Sequence, residues 1–418
     1  MNLFTIVRKN LKQRALSSTL TALSIALGVG VTIAILALKE QGQAGFNQGA
    51  FGYDLVVGAK GSKLQLVLNT IYHIDQSTGN VPWSLYEKLK TDRRVVFAAP
   101  MAVGDYYENH RLIGASDRLL IDFEVQPGQK FELAQGRLFT YDEAAMRHIM
   151  TAPPDHHHEG EEGVFEAVAG ARAASDTGLT LNSQFVAQHG GMGGDEHHEK
   201  WTVVGILKPT GTPADRAIYI NLDSFFHIAG HTKEAEVRGK ISTIALKMRR
   251  NAAESLEWEL NNGTEAMAVR PAAVVAELFQ MISKIDVLLL AVAILVVIVA
   301  GVSILVSIYN SMADRKRSIA IMRALGARRA TIFAIIVLES TTLCLLGGIL
   351  GGVIGHVAIA VAGNALHASA GVAVSPWILS TGEPLVFAGL IVLGALVGLV
   401  PAWKAYQTDI ADGLNPTA

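Results

Sequence analysis

The segment Asp314-Arg-Lys-Arg-Ser-Ile-Ala-Ile-Met-Arg-Ala-Leu-Gly-Ala-Arg328 is strongly basic and lies between two long apolar runs. These runs are Val287–Ile308 before it and Ile332–Val361 after it. A helix needs about 20 mainly apolar residues to cross the hydrocarbon core of a bilayer, and both runs meet that requirement. We therefore predict two membrane-spanning helices joined by a charged connector.

Two further apolar runs bring the predicted total to four. They are Leu20–Leu38 near the start of the chain and Leu385–Val400 near its end. Only 17% of the 418 residues are charged, whereas about 25% is usual for a soluble domain, so the composition agrees with several membrane segments. We predict a membrane α-helical fold with four transmembrane helices.

Basic residues mark one side of the membrane. Cytoplasmic loops of membrane proteins carry an excess of lysine and arginine, so the N- and C-termini are predicted to be cytoplasmic. The residues concerned are Arg8, Lys9, Lys12 and Arg14 before the first span, Arg315, Lys316, Arg317, Arg323, Arg328 and Arg329 in the connector, and Lys404 after the fourth span. We expect an uncleaved, multi-pass protein of the bacterial inner membrane, in contact with the lipid bilayer.

The segment from residue 40 to residue 284 is predicted to be a large α+β extracytoplasmic domain. Short runs rich in β-branched residues indicate strands, and two polar-capped segments indicate helices. The predicted strands are Asp54–Gly58, Trp201–Leu207, Ala217–Asn221 and Ile241–Met248, and the predicted helices are Trp83–Leu89 and Asn251–Leu260.

A histidine-rich insertion, at about residues 148–198, interrupts this domain. Imidazole and carboxylate groups together suit divalent metals such as zinc, copper or nickel, so weak or regulatory metal binding is one hypothesis. The other is a solvated acidic loop, because a histidine-rich tract without defined spacing is only a compositional signal. The candidate ligands are His156, His157, His158, His189, His197 and His198.

The connector itself is predicted to form a short amphipathic helix that begins at Arg315. Ile319, Met322 and Leu325 recur at helical spacing, and Gly326 is predicted to end the helix. A basic and apolar helix of this kind could lie in the membrane interface, anchored to anionic lipid. Its alternative role is to contact a cytoplasmic protein.

One acidic residue and a set of glycines stand out within the spans. Glu339 is at membrane depth, where an unpaired charge costs about 2.5–3.5 kcal/mol, so a cationic neighbour such as Arg315 or Arg323 is expected. Glycines four residues apart form flat helix faces that allow close backbone approach. These are Gly347, Gly351 and Gly355 in the third span, and Gly394 and Gly398 in the fourth. Packing within one subunit would explain them, and dimer contact is the alternative.

No glycine-rich phosphate loop ending in Lys-Ser or Lys-Thr occurs in the sequence. The chain is therefore not expected to hydrolyse ATP alone, and we predict a non-catalytic membrane subunit whose energy comes from a partner. No nucleic-acid partner is predicted.

The connector and the spans after it resemble the FtsX-like and MacB-like permeases of ABC transporters. The resemblance rests on Asp314–Arg328, on Glu339 followed by the glycines of Gly347–Gly355, and on the closing segment Pro401–Tyr406. Phe51–Ser62 is similar to the start of the extracytoplasmic domain in a DevC-like or HrtB-like branch. Ser318 departs from the family pattern, which commonly has a glutamate there, so the charge pairing with an ATPase is expected to differ.

This resemblance implies a domain layout and a coupling site. It implies transmembrane helix 1 within residues 1–39, a MacB-core domain at 40–284, and an FtsX-like transmembrane domain at 285–418 with a coupling loop at 309–331. The residues assigned to ATPase coupling are Asp314, Arg315, Lys316, Arg317, Ile319, Met322, Arg323, Leu325, Gly326 and Glu339.

The resemblance also implies partners and a mechanism. The expected partners are a cytoplasmic ABC ATPase, which would hold ATP and Mg²⁺, a second copy of this chain, and a periplasmic adaptor. The implied mechanism is mechanotransmission, in which ATP hydrolysis moves the periplasmic domain and drives export or extraction of a substrate. One alternative is a signal transmitter that activates a periplasmic hydrolase. Another is a metal- or haem-linked exporter that uses the histidine-rich segment.

Overall fold

The computed structural model describes residues 3–50, 52–74, 76–126, 128–151, 165–190, 196–228, 239–370 and 374–407. The helices are α1 (Leu3–Gln13), α2 (Ala15–Gly49), α3 (Lys63–Ile71), α4 (Trp83–Lys90), α5 (Asp117–Asp122), α6 (Glu143–Thr151), α7 (Ala171–Thr177), α8 (Leu222–His227), α9 (Ala253–Asn262), α10 (Pro271–Ala324), α11 (Arg329–Ala370) and α12 (Glu383–Gln407). The strands are β1 (Leu55–Gly58), β2 (Val81–Pro82), β3 (Val95–Tyr107), β4 (His110–Ala115), β5 (Glu124–Gln126), β6 (Gln129–Lys130), β7 (Leu133–Gly136), β8 (Glu166–Ala169), β9 (Gln184–His189), β10 (Glu196–Leu207), β11 (Ile218–Asn221), β12 (Lys240–Ile241), β13 (Thr243–Met248) and β14 (Met267–Val269).

The chain forms two compact units. The first, here called the helical unit, contains α1, most of α2, the larger part of α10, and the apolar lengths of α11 and α12. The second, here called the globular unit, contains the strands and the shorter helices within Gln43–Met281.

A ten-stranded mixed sheet is the centre of the globular unit, as far as its described residues show. The strand order is β14-β1-β13-β3-β4-β11-β8-β10-β7, and β9 pairs with both β10 and β3. Most neighbours are antiparallel, but β8 runs parallel to β10 and β4 runs parallel to β11. Sequentially distant segments therefore meet in the middle of the sheet.

Both faces of the sheet are buried at its central strands β4, β8 and β11, which explains their apolar character. Leu112 of β4 faces a core that includes Trp83 of α4 and Phe225 of α8. The next residue, Ile113, faces a different core that includes Leu119 of α5, because successive side chains of a strand point to opposite faces.

The predicted strands and helices of this unit are present, and the described residues of the histidine-rich insertion add strands that its composition did not indicate. Strands β8 and β9 and the first three residues of β10 lie within residues 148–198, together with α7. All four residues of β8 are buried in the sheet. These short strands were not predicted because the segment around them is rich in acidic residues and histidine, a composition that is typical of loops.

Three helices among the described residues are long and apolar enough to cross a membrane. They are Ala15–Asn47, Arg329–Asn364 and Glu383–Gln407. The second predicted span falls within α10, where Leu290–Val306 is a shorter apolar segment.

Helix α10 also contradicts the prediction of a separate short helix beginning at Arg315 and of a loop over residues 309–331. The helix is continuous from Pro271 to Ala324, and α11 begins at Arg329. No glycine or proline occurs between Val302 and Leu325, so nothing in the sequence ends the helix before Gly326.

The glycines of α11 bring it into backbone contact with α2. A Cβ atom on Gly351 would lie 2.7 Å from the carbonyl oxygen of Ala26 and 2.7 Å from Cβ of Val29. On Gly355 it would lie 2.9 Å from the carbonyl oxygen of Gly30. Gly347 is as close to Ile25 of α2, at 2.7 Å between Cβ positions. This glycine face therefore packs within one chain.

The glycines of α12 pack against an earlier length of α11, on the N-terminal side of Gly347. A Cβ atom on Gly394 would lie 2.8 Å from Cα of Thr341, and one on Gly398 would lie 2.2 Å from Oγ of Ser340. Small residues allow such approach where lipid supplies no hydrophobic drive for helix association.

Replacing Gly351 with alanine should destabilise the helical unit. The added methyl group has no space between α11 and α2, and overpacking of this kind costs about 1–3 kcal/mol. The matched control is Gly389→Ala in α12, where a Cβ atom would meet nothing within 4 Å. Thermal unfolding of the full chain in detergent should show a lower midpoint for Gly351→Ala alone, and equal midpoints would contradict this packing.

An ion pair holds the loop after β7 against β8 in the globular unit. Arg137 donates two hydrogen bonds to the carboxylate of Glu166, one of them at 3.0 Å, and the backbone N–H of Thr140 donates another at 2.8 Å. The hydrogen bond from the guanidinium of Arg137 is the main cause that lowers the pKa of Glu166 below its usual value, and the Thr140 N–H lowers this pKa further. Burial opposes both effects. The pair therefore stabilises the fold while Glu166 is ionised.

The variant Glu166→Gln should lower stability at neutral pH by about 1–2 kcal/mol, since it weakens charge-assisted hydrogen bonds. Because the folded pKa is lowered, this contribution is present above the unfolded pKa and is lost as the pH falls through the folded value. The difference in unfolding midpoint between wild type and variant should thus shrink from pH 7 to pH 3. The exposed Glu265→Gln is the control, and a difference independent of pH would contradict the ion-pair explanation.

Candidate functional site

The turn between α10 and α11 is the first candidate site. The N–H of Ala327 donates to the carbonyl oxygen of Met322 at 3.0 Å, and the N–H of Gly326 donates to that of Arg323 at 3.0 Å. Gly326 has a φ of +98°, so the turn has the hydrogen bonds and left-handed glycine of a Schellman motif. This motif brings α10 to a sharp end immediately before α11.

The side chains around this turn divide into buried and exposed groups. Ile319 and Ala320 are buried, and Ile319 shares a core with Ile332 of α11. Leu325, in contrast, is 84% exposed at the tip of the turn. The predicted coupling side chains Asp314, Arg315, Lys316 and Arg317 lie outside the part of the chain whose side chains the structure describes.

Aromatic and basic side chains link the end of α12 to α10 and to the start of α11. Lys404 donates to the hydroxyl oxygen of Tyr309 at 2.5 Å, and its Nζ is 4.2 Å from the centre of that ring. The guanidinium of Arg329 lies 5.6 Å from the ring centre of Tyr406. The predicted site did not include Tyr309, Lys404 or Tyr406, although aromatic residues beside basic ones at the end of a span are a recognisable signal.

Glu339 contacts the N-terminal helix. Its side chain is buried in α11, and Nδ2 of Asn10 in α1 donates to Oε2 of Glu339 at 3.3 Å. The sequence suggested Arg315 or Arg323 as a partner of Glu339, and that pairing stays a prediction. Asn10 was not predicted because it precedes the first span, and only the tertiary fold brings α1 beside α11.

A second polar group lies at the other end of the helical unit. Glu383 begins α12, accepts a hydrogen bond from the N–H of Ser380 at 2.8 Å, and lies 3.3 Å from Nε2 of His356. Glu40 of α2 accepts from the hydroxyl of Ser380 at 2.7 Å and from the N–H of Thr381 at 3.0 Å. The pattern Ser380-x-x-Glu383 is that of a capping box, a sequence signal that could have identified this contact.

The histidine candidates separate into three groups. His156, His157 and His158 lie outside the described residues. His189 of β9 and His197 of β10 both lie beside Asp105 of β3, with Nδ1 of His189 at 3.1 Å and Nε2 of His197 at 3.2 Å from Oδ1 of Asp105. His198 is exposed, as expected for the residue after His197 in a strand.

Asp105 completes this cluster and was not predicted from the sequence. Its side chain is 0% exposed, whereas that of His197 is 10% exposed and that of His189 is 58% exposed. The hydrogen bond to Asp105 raises the pKa of His197 above its ordinary value, against the opposing effect of burial. No pattern in the sequence links Asp105 to residues more than 80 positions later.

These features define the class of protein, which is a membrane protein with a helical unit and an α+β unit. Comparison with known proteins gives the family. The MacB-like periplasmic core domain model matches residues 18–261. The model of the FtsX-like permease C-terminal region matches residues 290–410. The chain belongs to the ABC transporter permeases of the MacB and FtsX type, and the fold predicted for its two parts is confirmed.

Curated relatives agree with this family. An uncharacterized ABC transporter permease of Methanocaldococcus jannaschii is 29% identical over 227 residues, which are 52% of this chain and 54% of that protein. The macrolide export ATP-binding/permease protein MacB of Rhodopirellula baltica is 27% identical over 199 residues, which are 48% of this chain and 25% of that protein. The matches thus cover about half or less of each relative's length.

The crystal structure of the periplasmic region of MacB from Actinobacillus actinomycetemcomitans is also similar, with 13% identity and a TM-score of 0.33. The match covers 55% of this chain and 94% of that one.

The variant Asn10→Ala should destabilise the helical unit by about 1 kcal/mol, because it removes a hydrogen-bond donor from a buried carboxylate. Lys9→Ala, at an exposed neighbouring position of α1, is the control. Thermal unfolding of the full chain in detergent measures the difference. A midpoint for Asn10→Ala equal to that for Lys9→Ala would show that the contact contributes nothing.

Proposed function

We propose that this chain is the permease subunit of a transporter driven by a separate cytoplasmic ABC ATPase, and that it exports or extracts a substrate by moving its globular unit. The observation that supports this most is the continuity of α2 and α10. Each is one unbroken helix that includes residues of both units. A continuous helix is a stiff element. When one end of such a helix tilts, its other end must change position.

The ends of these two helices are anchored in the core of the globular unit. The ring of Phe46 in α2 lies 5.7 Å from that of Phe279 in α10 and 4.8 Å from that of Tyr72. The hydroxyl of Tyr72 donates to the carbonyl oxygen of Phe46 at 2.6 Å. Val56 of β1 belongs to the same core, so movement of either helix would be passed to the central sheet.

The tip at Leu325 is the proposed contact with the ATPase. Leu325 is an exposed apolar side chain, and the basic residues Arg323 and Arg328 are close to it in the sequence. Such a side chain suits insertion into a groove on a protein surface. The alternative, an interfacial helix, fits less well because residues 309–324 continue α10 and end in a sharp turn. The remaining coupling residues are proposed to support this tip.

The complex would contain two copies of this chain and two ATPase subunits in the inner membrane, with both termini cytoplasmic. ATP and Mg²⁺ would be bound by the ATPase, since the sequence of this chain contains no phosphate-binding loop. The MacB relatives are ATP-binding/permease proteins by name, which supports such a partner. A periplasmic adaptor would complete the export path.

Replacing Leu325 with aspartate should weaken association with the ATPase by about tenfold or more, because it places a charge at the centre of the proposed contact. The matched control is Val96→Asp, an exposed apolar residue of the globular unit. Tagged full-length chain would be purified from native membranes, and the co-purifying ATPase and MgATP hydrolysis would be measured. Only Leu325→Asp should lose both.

Two outcomes would contradict the proposal. Recovery of the same amount of ATPase with Leu325→Asp would exclude the tip as the contact. The absence of any co-purifying ATPase from the wild-type sample would exclude the subunit role. A complex that alters cell-wall hydrolysis without exporting a substrate would favour the signal-transmitter alternative instead.

A further inference from the structure

We propose that Asp105, His189 and His197 bind one divalent metal ion of the zinc class in the globular unit. The three residues each offer one ligand atom, and these atoms all lie within 4.8 Å of one another. The proposal does not depend on coupling to an ATPase.

The separations between the ligand atoms suit a metal ion. Zinc binds imidazole nitrogen and carboxylate oxygen at about 2.0–2.2 Å, so two ligands of a tetrahedral ion lie about 3.3 Å apart. The observed distances to Oδ1 of Asp105 are 3.1 Å from His189 and 3.2 Å from His197. The two imidazole rings are nearly perpendicular, at 83°, with centres 5.9 Å apart.

The donor set identifies the class of metal. Two imidazoles and one carboxylate suit zinc, nickel or copper, whereas calcium and magnesium prefer oxygen ligands alone. Three protein ligands leave a fourth tetrahedral position for water. His189 is 58% exposed, so an ion can enter from solvent on its side of the cluster.

Strand pairing and local irregularities bring these ligands together. Asp105 is directly opposite His189 in the pairing of β3 with β9. The register of β3 against β4 shifts between Val103 and Tyr106, and that of β10 against β9 shifts between Glu196 and Lys200. The shifts therefore flank Asp105 and His197, and bulges commonly redirect side chains at functional sites.

Burial of Asp105 adds an electrostatic argument. A fully buried carboxylate is costly unless positive charge lies close to it. A divalent ion bound through Oδ1 would supply that charge while the two histidines stay neutral. It would also fasten β9 and β10 to β3, so metal binding should stabilise the globular unit by mass action.

Neighbouring histidines provide a matched test. The full chain, carrying no polyhistidine tag, would be titrated with Zn²⁺ by calorimetry and with Co²⁺ by visible absorption. Asp105→Asn, His189→Ala and His197→Ala should weaken binding at this site by at least about 100-fold, since even supporting residues around a metal contribute 10–100-fold. His198→Ala should retain wild-type affinity, and so should the variant with His156, His157 and His158 all changed to alanine.

The thermal unfolding of each variant distinguishes loss of the site from loss of the fold. His189 is largely exposed, so His189→Ala should fold even if Asp105→Asn does not. Zn²⁺ should raise the unfolding midpoint of wild type and His198→Ala but leave that of His189→Ala unchanged. Three results would overturn the proposal. The first is tight metal binding that persists in His189→Ala and His197→Ala, and the second is loss of tight binding when His156, His157 and His158 are changed. The third is a wild-type chain that binds neither Zn²⁺ nor Co²⁺.

Discussion

Close backbone contact along α11 is the constraint on which the helical unit depends. Lipid tails are as apolar as leucine, so helices in a bilayer gain little from hiding apolar side chains and associate through packing instead. Gly351 and Gly355 remove the side chains that would separate α11 from α2, while Gly394 and Gly398 do the same for α12. Helix α11 is therefore in close contact with both α2 and α12.

Polar contacts then fix the ends of this packed group. Asn10 brings α1 to Glu339 of α11, and Glu40 of α2 holds the connection that leads into α12 through Ser380 and Thr381. The contact with Asn10 gives the buried carboxylate of Glu339 a hydrogen-bond donor, and a buried charge is costly without one. The arrangement thus combines glycine packing in the middle of the helices with hydrogen bonds towards both ends.

The globular unit is specified differently, by strand pairing and alternation. Adjacent residues of a strand face opposite ways, so His197 lies beside Asp105 while His198 faces solvent. The same rule separates Leu112 from Ile113 into two cores. A composition that looks uniform along the histidine-rich segment therefore contains residues with quite different surroundings.

Local periodicity and composition were enough to predict the long apolar helices, the strands at Asp54–Gly58 and Ala217–Asn221, and the family motif around Asp314–Arg328. They also predicted the glycine faces, but not the helices against which these faces pack. The contact of Asn10 with Glu339, and that of Asp105 with His189 and His197, became visible only in the folded chain. Those contacts join residues far apart in the chain, and their geometry is set by helix packing and sheet register, which leave no signal in a local pattern.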